Sequence, residues 1–315
     1  MDEAAAEAFY RKVPKESVAC NICGSRKVRK VGIGDRYGMG LRTVLCAGCG
    51  LIYVNPRPTR AAMDDFYERH YRSFYESVEF PTKTYIAEGV FGTRASGMVG
   101  MIYDRGNLSD APRVLDVGCS EGSGLRAVRE RWPHSQRQGI EPSPSFGAFA
   151  REYASADIFT GSLDEFMSHR LPSEPLYDLV IASHVLEHMV DPRRELGVIR
   201  DLLNNEGLLY LEVPNVVHPA GAGGGQYHLA HLFLFVPQTL ENLLAVCGYE
   251  WIAARHDGCA DPWAMAYLCR KAPPRAPKFL KRNTVDAIGK AACMPPSGIR
   301  RGLIRRLRRI WSFGI

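Results

Sequence analysis

The chain reads as an α/β protein whose main sheet is built through crossovers, with a small cysteine-bearing β module before it and a basic amphipathic tail behind it. Three observations predict this. Between about residues 111 and 270, short apolar runs of strand length alternate with amphipathic stretches of helical period. Ahead of them, Cys20-x-x-Cys23-Gly24 and Cys46-x-x-Cys49-Gly50 repeat one pattern. Behind them, residues 271–315 hold twelve Lys or Arg against one acid, Asp286. The net charge of +6 over 315 residues thus divides into a strongly positive tail and a body that is net negative by five.

Four segments follow: 1–60, 61–109, 110–270 and 271–315. In the first, Arg42–Leu45 and Leu51–Val54 read as short strands around the cysteines, and Asn55-Pro56-Arg57-Pro58 breaks regular structure. Two thiolates from each of two short loops suit a tetrahedral ion. The spacing of Cys20, Cys23, Cys46 and Cys49 is therefore that of a zinc ribbon with a closed, structural site. The second segment is a helical connector carrying Phe66, Tyr67, Tyr71, Phe74 and Tyr75 among charges.

In the third segment Val114–Val117 is a strand, and Leu125, Val128 and Trp132 follow at helical spacing before Pro133. Gln138–Glu141 and Tyr177–Ala182 are further strands. Asp191-Pro192 starts a helix through Leu196, Ile199 and Leu203. Leu208–Val213 is a strand, and Pro237 opens a helix that Gly248 ends. Trp251–Ala254 and Ala264–Leu268 complete the sheet. Beyond Arg270, prolines 273, 274, 277, 295 and 296 mark a linker-like tail.

Hydrophobic residues at 46% and charged residues at 23% describe a globular chain with a sizeable core, excluding wholesale disorder and a disulfide-stapled miniprotein. No apolar run reaches 18 residues, and Met1-Asp2-Glu3 leads into no apolar signal core. A cytoplasmic location is expected.

The sharpest feature is Val114-Leu115-Asp116-Val117-Gly118-Cys119-Ser120-Glu121-Gly122-Ser123-Gly124, a strand that enters a glycine-rich turn and then a helix. Glycines let the backbone approach a ligand closely, and a helix N-terminus favours an anionic group. Glu141 ends the next strand, placed to accept both hydroxyls of a ribose. The glycines run G-x-x-x-G-x-G, which is neither the dinucleotide spacing nor a P-loop. An acid just before the turn would repel a pyrophosphate but suits the cationic end of an aminoacyl group.

That combination resembles motif I of class I S-adenosylmethionine (SAM)-dependent methyltransferases. Gly139-Ile140-Glu141-Pro142-Ser143 resembles the family's second motif, whose acid holds the ribose. Tyr177–His188 with Asp191-Pro192 is similar to the fourth-strand motif beneath the methionine portion, and Gly207–Pro214 to the fifth strand. The late segment His231–Phe235 with Pro237–Gly248 resembles that of many sugar and small-molecule methyltransferases. The third-strand loop, Thr160–Asp164, departs from the common form by lacking an acid directly after its glycine. The resemblance implies a Rossmann-like core of seven strands. Its cofactor-binding residues would be Asp116, Gly118, Cys119, Ser120, Gly122, Glu141, Pro142, Ser143, Ser162, Ser183 and His184.

The ribbon ahead of the core is similar to that of a bacterial subfamily associated with modifying sugars, including those of surface polysaccharides. The implied acceptor is a sugar hydroxyl or carbon, on a nucleotide sugar or a lipid-linked glycan, and the ribbon would form a substrate wall. A sugar hydroxyl has a high pKa, so a histidine base or a metal ion is expected. His231, with His228 second, lies after the glycine-rich loop 221–225, where a lid would bring it over the methyl group. The alternative for His231 is packing against the aromatic run that follows. His184-x-x-Glu187-His188 would share one helical face. Some relatives carry E-x-x-E-H here and bind magnesium, whereas this chain has His184 in place of the first glutamate.

In the tail, Ile299, Leu303, Ile304, Leu307, Ile310 and Trp311 recur at helical spacing among arginines, which suits the surface of an anionic membrane through residues 299–313. Two other readings stay open. One is a methyltransferase acting on RNA or another small molecule, although the acidic body disfavours nucleic acid. The other is a non-catalytic SAM-binding module.

Overall fold

The structure is a computed structural model and describes residues 3–31, 40–71, 80–218, 226–256 and 263–293. The helix Glu3–Lys12 and the two-residue strand β1 (Lys15–Glu16) lead into β2 (Val28–Lys30), β3 (Thr43–Cys46) and β4 (Ile52–Val54). Next comes β5 (Arg57–Pro58), which pairs antiparallel with β1. The Asn-Pro-Arg-Pro stretch, expected to break regular structure, thus supplies two residues to a short ladder. Helices Arg60–Arg69, Lys83–Glu88 and Phe91–Gly106 form the connector.

The α/β part follows as β6 (Arg113–Val117), β7 (Gln136–Glu141), β8 (Asp157–Thr160), β9 (Tyr177–Ser183) and β10 (Leu203–Pro214), then the short β11 (Phe233–Leu234), β12 (Tyr249–Arg255) and β13 (Ala264–Lys271). One seven-stranded sheet runs in the order β12-β13-β10-β9-β6-β7-β8. β8, β7, β6, β9 and β10 are parallel neighbours, while β13 runs antiparallel to both β10 and β12. Strands buried on both faces read as continuous apolar runs, as Leu179–Ala182 and Leu208–Leu211 do. Helix boundaries follow local chemistry. Asp191 caps Pro192–Leu202 through Arg194 N (3.1 Å), and Gly248, at φ +78°, turns the chain after Pro237–Val246.

Two larger features also depart from the sequence reading. The ribbon sheet has four strands in the order β11-β4-β3-β2, so its edge strand comes from the α/β segment. Phe233 pairs with Tyr53 and Leu234 with Ile52, Val54 N donates to Leu232 O at 2.9 Å, and the Tyr53 and Phe233 rings stack 6.2 Å apart. One continuous apolar core accordingly holds Ile22, Leu51 and Tyr53 together with Leu115, Leu211 and Phe235. A two-residue strand has too little period to be seen in a sequence.

The second departure lies in the presumed linker. Residues Arg282–Cys293 form a helix that lays Val285, Ile288 and Ala291 on Leu45 and Ile52 of the ribbon sheet. Arg29 donates to Asp286 (2.6 Å), and Tyr227 Oη donates to Ala292 O (2.9 Å). The amphipathic stretch 299–313 lies outside the described residues.

Removing the ring that joins the two sheets tests the seam. Phe233→Ala is expected to destabilise the protein by about 3–5 kcal/mol. It should also lower hydrogen-exchange protection across Ile52–Val54, both readable by denaturant titration with mass spectrometry.

Candidate active site

β6 has β7 on one side and β9 on the other, and the chain leaves these strands in opposite directions, β7–β8 one way and β9–β10 the other. Such a reversal opens a crevice at the carboxyl ends of the strands. A cleft of about 830 Å³ lies there, lined by the turn after β6, the end of β7, the loop after β9 and residues 226–231, with helix Arg60–Arg69 as one wall.

The turn is pinned from behind. Gly118 N and Cys119 N both donate to Ile140 O (2.8 and 3.0 Å), and Gly122 N donates to Cys119 O (2.9 Å). Gly118 is left-handed (φ +74°), and a Cβ there would stand 2.7 Å from Val185 Cγ2, so both conformation and space require glycine. Gly122 (φ +89°) is the N-cap of helix Ser123–Arg131, and Ser120 also takes a positive φ of 51°. Glu141, 4% exposed, closes the site: Oε2 accepts from Ser120 N (3.1 Å) and Oε1 from Ser143 N (2.9 Å). A carboxylate held this way is oriented as an acceptor toward the hydroxyls of a ribose. Pro142 lies between these contacts and lines the cleft.

Asp116, on β6, is buried. Burial first, and then the nearby Glu121 and Glu141, raise its carboxyl well above the usual range. Three buried acids around one cleft favour a cationic ligand, and SAM, a sulfonium carrying an ammonium and a ribose, matches both the acids and the Glu141 cradle. Ser162 lines the cleft, but its hydroxyl serves the helix Leu163–His169, donating to Glu165 Oε2 (2.9 Å) and accepting from Glu165 N (3.2 Å). Ser183 Oγ donates to the buried Glu212 (3.2 Å). His184, at φ +55°, donates its N–H to Glu212 O (2.8 Å) and sets its ring 5.6 Å from Trp263.

The His184/Glu187/His188 group does not share a helical face, because residues Leu186–His188 form only a single 3₁₀ turn after the left-handed His184. The turn nevertheless gathers them: Glu187 Oε1 lies 3.6 Å from His184 Nδ1 and 3.8 Å from His188 Nε2. Burial holds the His188 imidazolium down to about 3, so its ring is neutral at pH 7. His188 Nδ1 stands 3.0 Å from Tyr67 Oη. The rings of His188 and His231 lie 4.8 Å apart and those of His228 and His231 3.8 Å apart, so both base candidates face the same wall as His188. His231 Nδ1 donates to Gln226 O (2.9 Å). The glycine-rich loop expected to act as a lid lies outside the described residues. Sequence reading named Tyr67 without a role and missed Gln226 and Trp263, which only the fold brings to the cleft.

The four paired cysteines converge on one buried point. Cys20 and Cys49 sulfurs lie 3.4 Å apart and those of Cys23 and Cys46 3.5 Å apart, too far for disulfides. Four sulfurs about 2.3 Å from a tetrahedral zinc ion would stand about 3.8 Å from one another, so the donor set fits that ion. The two loops close alike, with Gly24 N on Cys20 O (2.9 Å) and Gly50 N on Cys46 O (3.0 Å), both glycines left-handed.

A crossover sheet with a glycine turn, a strand-end acid and buried carboxylates at its switch point defines an α/β domain built around a nucleoside-bearing cofactor. The family profile described as "methyltransferase domain" matches residues 95–254, just over half of the chain, and the chain belongs to that family. It is 32% identical over 108 residues to trans-aconitate 2-methyltransferase of Streptomyces avermitilis (33% of this chain, 40% of that protein). It is 27% identical over 114 residues to the enzyme of the same name from Escherichia coli O157:H7 (34% and 41%). The chain thus spans about two fifths of the length of these relatives. Among solved structures it is similar to the plantazolicin methyltransferase BamL in complex with an analog and SAH, at TM-score 0.49 and 12% identity over 66% of this chain and 96% of that one. It is also similar to the mitomycin 7-O-methyltransferase MmcR, at TM-score 0.48 and 20% identity over 59% and 56%.

Hydrogen bonds to a charged group contribute about 1.5–3 kcal/mol each. Glu141→Ala is therefore expected to weaken S-adenosylhomocysteine (SAH) binding about tenfold to a hundredfold, measured by calorimetry.

Proposed function

We propose that the chain transfers a methyl group from SAM to a hydroxyl or carbon of a sugar held against the histidine wall. The sugar would belong to a nucleotide sugar or a lipid-linked glycan. The observation that carries the transfer chemistry is the set of buried acids Asp116, Glu121 and Glu141 beside the glycine turn, a site that calls for a cation with a ribose. The cofactor supplies a sulfonium-bound methyl group, a ready electrophile. The protein's share is to align the acceptor and take its proton. For a hydroxyl acceptor, the proton passes to an imidazole nitrogen of the His228/His231 pair as an oxygen lone pair forms the new O–C bond. The C–S bond breaks and leaves its electron pair on sulfur.

In this reading Gly118, Cys119, Ser120, Gly122, Glu141, Pro142 and Ser143 hold the nucleoside side, and Asp116, Ser183 and His184 face the methionine side. Ser162 closes the adenine end through its helix cap. Cys20, Cys23, Cys46 and Cys49 hold a structural zinc ion. The tail 299–313 brings the protein to an anionic membrane surface when the acceptor is lipid-linked.

A second reading is a carboxylate acceptor. Arg60 and Arg94 line the cleft, and the named relatives methylate trans-aconitate. Arg60, however, is occupied by Glu195 (2.6 Å) and Asp164 (3.3 Å).

Radiolabelled methyl transfer into bacterial extract fractionated into lipid-linked glycan, nucleotide sugar, RNA and protein, with trans-aconitate run beside it, separates these readings. Label is expected in a glycan or sugar fraction. Label in trans-aconitate or RNA instead overturns the sugar acceptor, and SAH binding without transfer to any pool makes the chain a binding module. With the labelled acceptor, His231→Ala and His228→Ala are each expected to lower turnover about 10²- to 10⁴-fold, with little change in cofactor affinity. Metal analysis should find one zinc per chain, lost in Cys46→Ser together with ribbon stability.

A further inference from the structure

The geometry points to a second metal site, distinct from the cysteine cluster: Glu187, His188 and His231 bind a divalent first-row transition ion at the histidine wall of the cleft. One ligand atom from each of the three lies within 4.8 Å of the others. Ligands about 2.1 Å from one ion stand about 3–3.5 Å apart, so small side-chain rotations close the site. The carboxylate comes from the 3₁₀ turn after β9, as does His188, and His231 comes from the loop before β11.

Each imidazole has an outer partner at its Nδ1. The Nδ1–H of His231 is held by the Gln226 carbonyl (2.9 Å), which leaves Nε2 unprotonated. His188 Nδ1 lies 3.0 Å from Tyr67 Oη, and that hydroxyl lies 3.4 Å from Ala230 O, which can only accept. With the Tyr67 O–H on Ala230 O, His188 Nδ1–H donates to Tyr67 Oη. His188 is left with an Nε2 lone pair on the side of Glu187. An outer partner on the far ring nitrogen is the arrangement that orients metal-bound histidines.

Glu187 gives the second, independent sign. Its side chain is 2% exposed, and neither carboxylate oxygen has a hydrogen-bond donor among the described residues. The nitrogens of His184 and His188, at 3.6 and 3.8 Å, stand beyond hydrogen-bond reach. A carboxylate buried beside two imidazoles, with no hydrogen bond among the described residues, is a charge that a cation between these groups would meet directly. Two imidazoles and one carboxylate suit borderline transition ions, and three protein ligands leave positions open toward the cleft for water or an acceptor oxygen.

The purpose of this ion rests on the methyl-transfer reading above. It orients the acceptor oxygen and lowers its pKa, with His231 as ligand and His228 as the group that takes the proton.

Mn²⁺ is the probe, because thiolates favour softer ions and the cysteine cluster competes poorly for it. Full-length protein holding a single equivalent of zinc, which the four thiolates take first, is titrated with Mn²⁺ by electron paramagnetic resonance, and with SAH by calorimetry in parallel. One saturable Mn²⁺ per chain is expected, with loss of that binding in Glu187→Gln and His231→Asn. Tyr67→Phe, which removes only the outer partner of His188, should weaken it about tenfold to a hundredfold. Unchanged SAH affinity shows that each variant has kept its fold. Absence of saturable Mn²⁺ binding by the unaltered chain, or wild-type Mn²⁺ affinity in all three variants, overturns the site. Failure of the unaltered chain to bind SAH overturns the methyl-transfer reading instead, whichever way the Mn²⁺ titration falls.

Discussion

Like charges confined together in a poorly solvated space repel, and they persist there only with a proton or a counter-charge. Asp116, Glu121 and Glu141 impose that condition on the cleft, each at 6% exposure or less. The surroundings meet it in part. Two backbone amides grip Glu141, and burial keeps a proton on Asp116 to higher pH than usual. What remains is a field that rewards a cation at the carboxyl end of β6. The glycine turn serves the same end, since only a side-chain-free backbone at Gly118 lets Val185 close over the turn. The chain thus maintains a destabilising arrangement that a positively charged nucleoside relieves.

Much of this was legible in the residue string because the determinants are local. The run Val114–Gly124 specifies strand, turn and helix within eleven residues, and Asp191-Pro192 marks a helix start by capping chemistry alone. The glycine that follows each cysteine pair, a repeat visible in the sequence, takes a left-handed turn at Gly24 and at Gly50. What escaped were long-range juxtapositions. β11 carries two residues, too few for a pattern, and takes its identity from Tyr53 and Ile52. Helix Arg282–Cys293 looked like linker because prolines flank it, whereas its apolar side is defined by the ribbon face it covers. At the site, i, i+3, i+4 spacing rightly grouped His184, Glu187 and His188, but for the wrong reason, since a positive φ at His184 and a 3₁₀ turn bring them together.

The cysteine module does more than cap one end of the chain. It holds the histidine wall from two sides. On one, β4 pairs with β11, only two residues after His231. On the other, Arg57 donates to the Val190 carbonyl and Asn21 to Asp191 (2.8 Å), bracketing the turn that carries Glu187 and His188. Between them, helix Arg60–Arg69 sets Tyr67 against His188. Groups that must meet within a few tenths of an ångström are thus positioned by a rigid β module rather than by their own loops.

That shared sheet also orders events while the chain is being made. A nascent chain presents its N-terminal strands first, so β2, β3 and β4 are complete long before Phe233 leaves the ribosome. Until then the free edge of β4, with Ile52 and Tyr53 along it, is an unpaired template of the kind that recruits stray strands, and the face over Leu45 and Ile52 waits longer still for Val285 and Ile288. Helix Arg282–Cys293, the last among the described residues, is therefore the lid on a sheet whose strands β2, β3 and β4 are made long before it, and a chain cut short before residue 282 would leave the ribosome with that face bare.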